Sequence, residues 1–133
     1  MSRTIEVVAA VVRRGRTVLL ARRREGSLRG HWEFPGGKVE AGETHPEALE
    51  RELREELSVA ARVGALLGES THQGTNGSIR LFFYACELLA EPQQGYCHDG
   101  LEWVALDAWK SYRVAPADIG ILQRLMDEST ELA

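Results

Sequence analysis

Thr44 to Leu57 is the stretch of this chain whose local structure is most tightly specified. Thr44 and Glu47 stand three residues apart, the capping-box spacing in which each side chain satisfies the other residue's backbone N–H. Pro46 falls in the first turn, where a missing N–H does no harm, and Leu49, Leu53 and Leu57 recur every fourth residue. The sequence therefore predicts a helix over 44–57 that buries one leucine stripe. Such a helix needs an apolar layer beneath it, and the runs on either side of it read as strands.

Ile5 to Arg13 and Thr17 to Arg22 are rich in β-branched and aliphatic residues and are separated by Arg14, Gly15 and Arg16, the pattern of a hairpin. Ser27 to Gly30 reads as loop and His31 to Phe34 as a short strand. Ala60 to Thr71 and Ser78 to Leu89 read as strands around a turn that holds Asn76-Gly77, a strong hairpin signal. Leu101 to Leu106 is one more strand. Beyond Pro116, the apolar residues Ile119, Leu122, Leu125 and Met126 lie at helical spacing, which predicts a closing helix of about three turns. The expected fold class is α/β, or α+β: a mixed sheet with helices packed on it, built as one domain over residues 1–133.

A chain of 133 residues with 44% apolar content is large enough for one core. With 16 Lys and Arg against 20 Asp and Glu the net charge is -4, which argues against coating a nucleic-acid polymer or a membrane surface by bulk charge. The apolar run Val7 to Val12 leads straight into Arg13 and Arg14, too short for a signal sequence or a membrane span, so a cytoplasmic protein is expected. In that reducing compartment Cys86 and Cys97 read as free thiols. The partner to expect is a small molecule, bound by a monomer or a homodimer.

The 44–57 helix also carries the chemistry. At 100° per residue Glu52, Glu55 and Glu56 fall within a sector of about 100° beside the leucine stripe, with Ala48 among them. Like charges at these spacings repel unless a cation sits between them, and hard oxygen donors on one face suit Mg²⁺ or Mn²⁺. Taken alone, a run such as Glu-Arg-Glu-Leu-Arg-Glu-Glu-Leu is also an ordinary solvated helix. Upstream, Gly36-Gly37 reads either as a tight turn or as backbone left bare so that it can approach an anion or present a carbonyl to a metal. The joint spacing decides between these readings. Gly37, five residues, Glu43, seven residues, Arg51-Glu52-Leu53, one residue, Glu55-Glu56, one residue and Ser58-Val59 has a chance probability on the order of 10⁻⁸ per start site at ordinary residue usage.

Those residues resemble the signature of the Nudix hydrolases, a loop-helix-loop that binds divalent metal and hydrolyses a nucleoside diphosphate linked to another group. Ile5 to Val12, Leu19 to Arg23, His31 to Gly37 and Ala115 to Ile119 extend the likeness to the MutT-type branch, and within it to the CTP and modified-pyrimidine pyrophosphohydrolases. The resemblance implies an α/β/α sandwich around a mixed sheet. It implies that the Gly37 carbonyl with Glu52, Glu55 and Glu56 holds Mg²⁺, one carboxylate serving as base, and that Arg51 and Glu43 brace the loop against the helix. It places the nucleotide against Arg23, Phe34, Gly36, Gly37, Lys38 and Asp118. The implied activity is hydrolysis of a nucleoside triphosphate to the monophosphate and pyrophosphate, on cytosine-type or damaged nucleotides. Hydrolysis of 8-oxo-dGTP, of ADP-ribose or of a dinucleoside polyphosphate stays open beside it. So does a non-catalytic nucleotide-binding module, although such modules typically lack the helix carboxylates present here.

Two positions depart from the family pattern. Ser58 stands where glycine usually ends the helix, and a serine kept in the left-handed conformation should cost about 1 kcal/mol. Cys97, six residues before Trp103, stands where a glutamate often serves the metal or the water; His98 or Asp99 is the available substitute, each also readable as a solvated loop residue. Trp32 reads as packing rather than a base-stacking platform, Phe82, Phe83 and Tyr84 as sheet packing, and His31, His45 and His72 as no ligand set. Pro116 fixes the start of the last helix, so Asp118 in its first turn is expected to point towards the nucleotide. An ionised carboxylate accepts from the amino group of cytosine but opposes the carbonyl of uracil.

Overall fold

The computed structural model describes residues 3–74 and 77–132. Strand β1 (Thr4–Arg14) is its axis. On one side β1 runs parallel to β6 (Gly77–Leu88), paired from Thr4 with Ser78 to Val12 with Cys86. On the other it meets the three-residue strand β4 (Gly36–Lys38), with Val8 opposite Gly37, and past Val12 it turns into β2 (Thr17–Arg23). β2 in turn carries β3 (Trp32–Glu33) and β7 (His98–Ala105), both antiparallel to it. β5 (Ala61–Gly74) completes the sheet beyond β6, in the order β3-β2-β1-β6-β5. The β5–β6 turn, with Asn76 of the expected Asn-Gly pair, lies outside the described residues.

The central strand is apolar without a break from Val7 to Val12 because both of its faces are covered there, as expected where helices pack on each side of a sheet. Val8, Ala10 and Val12 join Leu19 and Phe82 against Ala48, Leu49, Leu53 and Leu57 of α1 (His45–Leu57). Ala9 and Val11 join Leu20, Phe83 and Val104 against Ile121, Leu122 and Leu125 of α2 (Ile119–Leu132). Each fully buried leucine of these stripes contributes about 1.5–3 kcal/mol of burial free energy. The α/β/α sandwich expected from the sequence is the fold observed.

The local signals of α1 are realised in full. Thr44 caps the helix, accepting from the Glu47 N–H while the Glu47 carboxylate accepts from the Thr44 N–H. Ser58 ends it in the left-handed region at φ 54, its N–H donating to the Arg54 carbonyl. Elsewhere the boundaries move. β5 extends to Gly74, and α2 reaches 14 residues behind a 3-10 turn at Pro116–Asp118, longer than the three turns expected. β7 begins at His98 instead of Leu101, because pairing with Arg22 and Arg23 recruits polar residues that carry no strand signal of their own. No helix among the described residues is long and apolar enough to cross a membrane.

Candidate active site

Two hollows share Arg23, Glu33 and Gly36 as walls and form two lobes of one cleft. The first, about 240 Å³, is mostly apolar, with Val7, Ala9, Phe34 and Leu81 around Asp118. The second, about 380 Å³, is acidic, with Glu25, Glu33 and Glu56 facing Tyr96, Cys97 and His98. Gly36 lies where the lobes join, with Gly37 and Asp118 on the apolar side and Glu56 of α1 on the acidic side.

α1 brings Glu52 and Glu56, one turn apart, against β4. Glu56 is 8% exposed, and its Oε2 accepts from the Gly36 N–H at 3.1 Å. Burial, then the charge of Glu52, pushes its carboxyl up to about 8, against the pull of that hydrogen bond. Glu52 is also raised, by its own desolvation, although Arg51 draws it the other way. The glycines are required by contact. A Cβ on Gly37 would land within the Glu52 carboxylate, and one on Gly36 would overlap the Val8 carbonyl. Backbone and carboxylate therefore lie closer here than any residue with a side chain allows.

Arg51 links the loop and the helix. Its guanidinium donates to Glu43 Oε2 at 2.7 Å and Glu43 Oε1 at 3.0 Å, to the Lys38 carbonyl at 3.0 Å, to Glu52 Oε1 at 2.9 Å and to Glu55 Oε2 at 3.2 Å. The first of these partners, Glu43, does most to hold the guanidinium in its charged form and is itself lowered by Arg51. Glu55 faces solvent on its outer side. With Glu52 and Glu55 turned to Arg51 and Glu56 turned to Gly36, no three His, Cys, Asp or Glu side chains among the described residues form a ready-made cage. The donor set is nonetheless one of hard, mutually repelling carboxylate oxygens, which fits a divalent cation such as Mg²⁺ or Mn²⁺.

In the apolar lobe Asp118 is 4% exposed. Its Oδ2 accepts from the Phe34 N–H at 2.9 Å, and burial raises its carboxyl to about 7 against that bond. The Phe34 ring packs edge-on to Phe83 with centroids 5.9 Å apart, so its aromatic face is spent on the core while its backbone serves the aspartate.

Arg23, Gly36, Gly37, Phe34 and Asp118 thus meet in the cleft as the sequence suggests. Lys38 does not: its side chain borders a separate surface hollow with Arg3, Glu6 and Glu40, because alternation along β4 turns it away from Gly37. His98 and Asp99 belong to β7 and not to a loop, His98 buried and Asp99 exposed. Asp99 accepts from Arg22 at 2.7 Å, and His98, 3% exposed, has its Nε2 3.2 Å from Glu33 Oε2, so neither stands free to replace the absent glutamate at position 97. Trp32 packs on Tyr112, not in the cleft. His45 ties α1 to the sheet through Glu6 and Tyr84.

Glu33 is a charged cleft residue to which the sequence expectations give no role. Glu33 binds Arg23 through two contacts, at 2.8 and 3.3 Å, and His98 through a third. Burial pushes its carboxyl up, but the bonds from His98 and Arg23 outweigh this and leave it below the ordinary range. Its one visible sign was an acidic residue between Trp32 and Phe34 in an otherwise apolar strand.

Residues 3–125 match the NUDIX domain. The chain belongs to the Nudix hydrolases. The CTP pyrophosphohydrolase of Escherichia coli K12 is 38% identical to it over 123 residues, covering 92% of this chain and 91% of that protein. The 8-oxo-dGTP diphosphatase of Haemophilus influenzae Rd is 34% identical over 128 residues, covering 94% and 93%. The crystal structure of a MutT Nudix hydrolase from Burkholderia pseudomallei aligns with a TM-score of 0.85 at 27% identity, over 92% of this chain and 98% of that one. Nudix hydrolases act on small nucleotide substrates and generally use divalent metal ions, the chemistry for which the acidic lobe is suited.

Proposed function

We propose that this Nudix hydrolase converts a nucleoside triphosphate and water into the monophosphate and pyrophosphate, that Mg²⁺ serves it, and that it prefers a cytosine-type base. One observation carries the base choice: Asp118 lies at the inner end of the apolar lobe with one oxygen committed to the Phe34 N–H and no partner for the other among the described residues. Ionised, that oxygen accepts from the N4 amino group of cytosine, whereas the O4 of uracil or thymine would meet it as a second acceptor. The cost of such a mismatch inside an apolar site is a few kcal/mol.

Glu52, Glu55, Glu56 and the Gly37 carbonyl would hold the cation. When bound, it supplies positive charge that neutralises the polyphosphate and favours the ionised carboxylates. Arg23 and the bare Gly36-Gly37 backbone orient the phosphate chain between the lobes. Glu56, fixed at one oxygen by the Gly36 N–H, takes the proton of the attacking water on the other once it is ionised. The α–β anhydride bond then breaks and pyrophosphate leaves through the open acidic lobe. Arg51 acts from outside the cleft, keeping Glu52 in place and charged.

A second reading has its own support. With its carboxyl raised to about 7, Asp118 also has a protonated form that donates to a carbonyl oxygen, which suits 8-oxo-dGTP. Both readings are tested by pyrophosphate release from CTP, dCTP, 5-substituted cytosine nucleotides, UTP, dTTP and 8-oxo-dGTP, each with and without Mg²⁺. A kcat/KM at least tenfold higher for the cytosine group than for UTP and dTTP is expected; no Mg²⁺-dependent turnover of any of these nucleotides would refute the proposal.

A further inference from the structure

We infer that His98 is a positioning residue for the cleft: it donates from Nε2 to Glu33, and through Glu33 it holds the Arg23 guanidinium at the boundary of the two lobes. The inference rests on the proposed reading of the cleft as a nucleotide site.

Three neighbouring strands build the arrangement. His98 opens β7 directly opposite Arg23 of β2, at the irregularity between Arg22 and Arg23, and Glu33 comes from β3 on the far side of β2. Residues paired across strands project to the same face, so His98 and Arg23 reach Glu33 together. All three guanidinium nitrogens are engaged, which leaves two of the five N–H groups for a phosphate. Nη2 and Nε go to the two oxygens of Glu33, and Nη1 goes to the Ser27 carbonyl at 3.1 Å. The Oε1 side of the pair is firm at 2.8 Å; the Oε2 side rests on two longer contacts, 3.3 Å from Arg23 Nε and 3.2 Å from His98 Nε2. Without His98, the carboxylate would swing on its single short contact, and the guanidinium plane would swing with it.

The histidine's own bonding shows which way the hydrogen bond runs. Glu33 is held below the ordinary carboxylate range, so it is ionised and can only accept. His98 Nε2 must then carry the proton. Nδ1 is buried and has no partner among the described residues. A proton there would be an orphaned buried donor, so the consistent assignment is the Nε2–H tautomer with Nδ1 bare. Neutral histidine favours the Nε2–H form even in water, so this tautomer is a necessary mark of the arrangement and the kinetics of the variants are the discriminating one.

Two measurements test this. In the folded wild-type protein, ring ¹⁵N–¹H correlation spectra, with the His98 signals assigned by their loss in His98→Gln, should show the Nε2–H tautomer; a proton on Nδ1 overturns the inference. In kinetics with CTP, His98→Leu removes the donor at similar volume and should raise KM roughly tenfold or more, the scale of one hydrogen bond to a charged group, while kcat stays within about threefold. His98→Gln sets an amide N–H near the lost Nε2 and should recover most of that KM. An unchanged KM in a folded His98→Leu, or no recovery in His98→Gln, overturns the inference. If His98→Leu does not fold, the tautomer and the His98→Gln KM decide. Should the wild-type protein turn over no nucleotide at all, the proposed function fails, while a proton on Nδ1 would separately overturn the placement of His98 on Glu33.

Discussion

Glu56 gives the most direct physical test of the site, because its effect on stability is separable from catalysis. Its carboxyl moves from 4.5 to about 8 on folding, since burial and the nearby Glu52 disfavour the charge. At 1.36 kcal/mol per decade, that displacement corresponds to about 5 kcal/mol as an upper bound, and relaxation around a residue at the cleft edge brings the expected effect to ~2 kcal/mol. Its sign follows from proton counts. Between the two values the native state binds more protons than the unfolded chain, so stability is fully present below pH 4.5 and is lost as pH rises through about 8. Glu56→Gln keeps the acceptor for the Gly36 N–H and cannot ionise. In urea unfolding with a chelator present, the variant and wild type should be nearly equal at pH 4.5, and by pH 8.5 the variant should be the more stable by ~2 kcal/mol. Mg²⁺ should then narrow the gap by stabilising the wild type. A stability difference that does not change with pH, or a wild-type protein that gains on the variant between pH 5 and 8.5, would refute the reasoning.

Glu52→Gln and Glu56→Gln should each lower turnover of the best nucleotide by at least about 10² at saturating Mg²⁺ while circular dichroism reports a native fold; near-normal rates in both would remove these residues from the metal site. Asp118→Asn, able to donate as well as accept, should shrink the CTP-to-UTP ratio of kcat/KM or shift preference towards 8-oxo-dGTP, and an unchanged ratio would return Asp118 to a purely structural role. In the wild type the same ratio should fall as pH drops below about 7, where Asp118 becomes protonated, and a flat pH profile would count against an ionised acceptor. Ser58→Gly relieves the left-handed serine and should raise stability by up to about 1 kcal/mol, read as a Tm increase of a few degrees; a loss of stability would mean that the serine makes a compensating contact.

Legibility followed the range of the forces involved. α1 could be read almost to the residue because its cap, proline and leucine stripe act within one or two turns, and Glu52 and Glu56 came with it. The early start of β7 could not, since His98 to Gly100 have no apolar alternation and become strand only through pairing with Arg22 and Arg23, some 75 residues away along the chain. Glu33 was hidden for the same reason: its partners lie ten residues before it and 65 after it. Asp118 was legible as a residue aimed at the cleft, but its hydrogen bond to a backbone amide 84 residues away was not. Lys38 shares the neighbourhood that the motif assigns but borders another hollow, because strand alternation assigns the side.

The double-sided burial of β1 makes the geometry of the site depend on a strand most of whose side chains carry no polar group. Val8 faces Gly37 across the β1–β4 ladder, and the same strand presents Val8, Ala10 and Val12 to one helix and Ala9 and Val11 to the other. A slip of one residue would exchange these two sets wholesale and move the Gly37 carbonyl by about 3.3 Å relative to Glu52, roughly the length of a hydrogen bond. Ala10 and Val12 therefore act as a ruler for the carboxylates. A screen that scores hydrolysis should recover loss-of-function changes at these two positions, which line neither lobe, as readily as at the glutamates themselves.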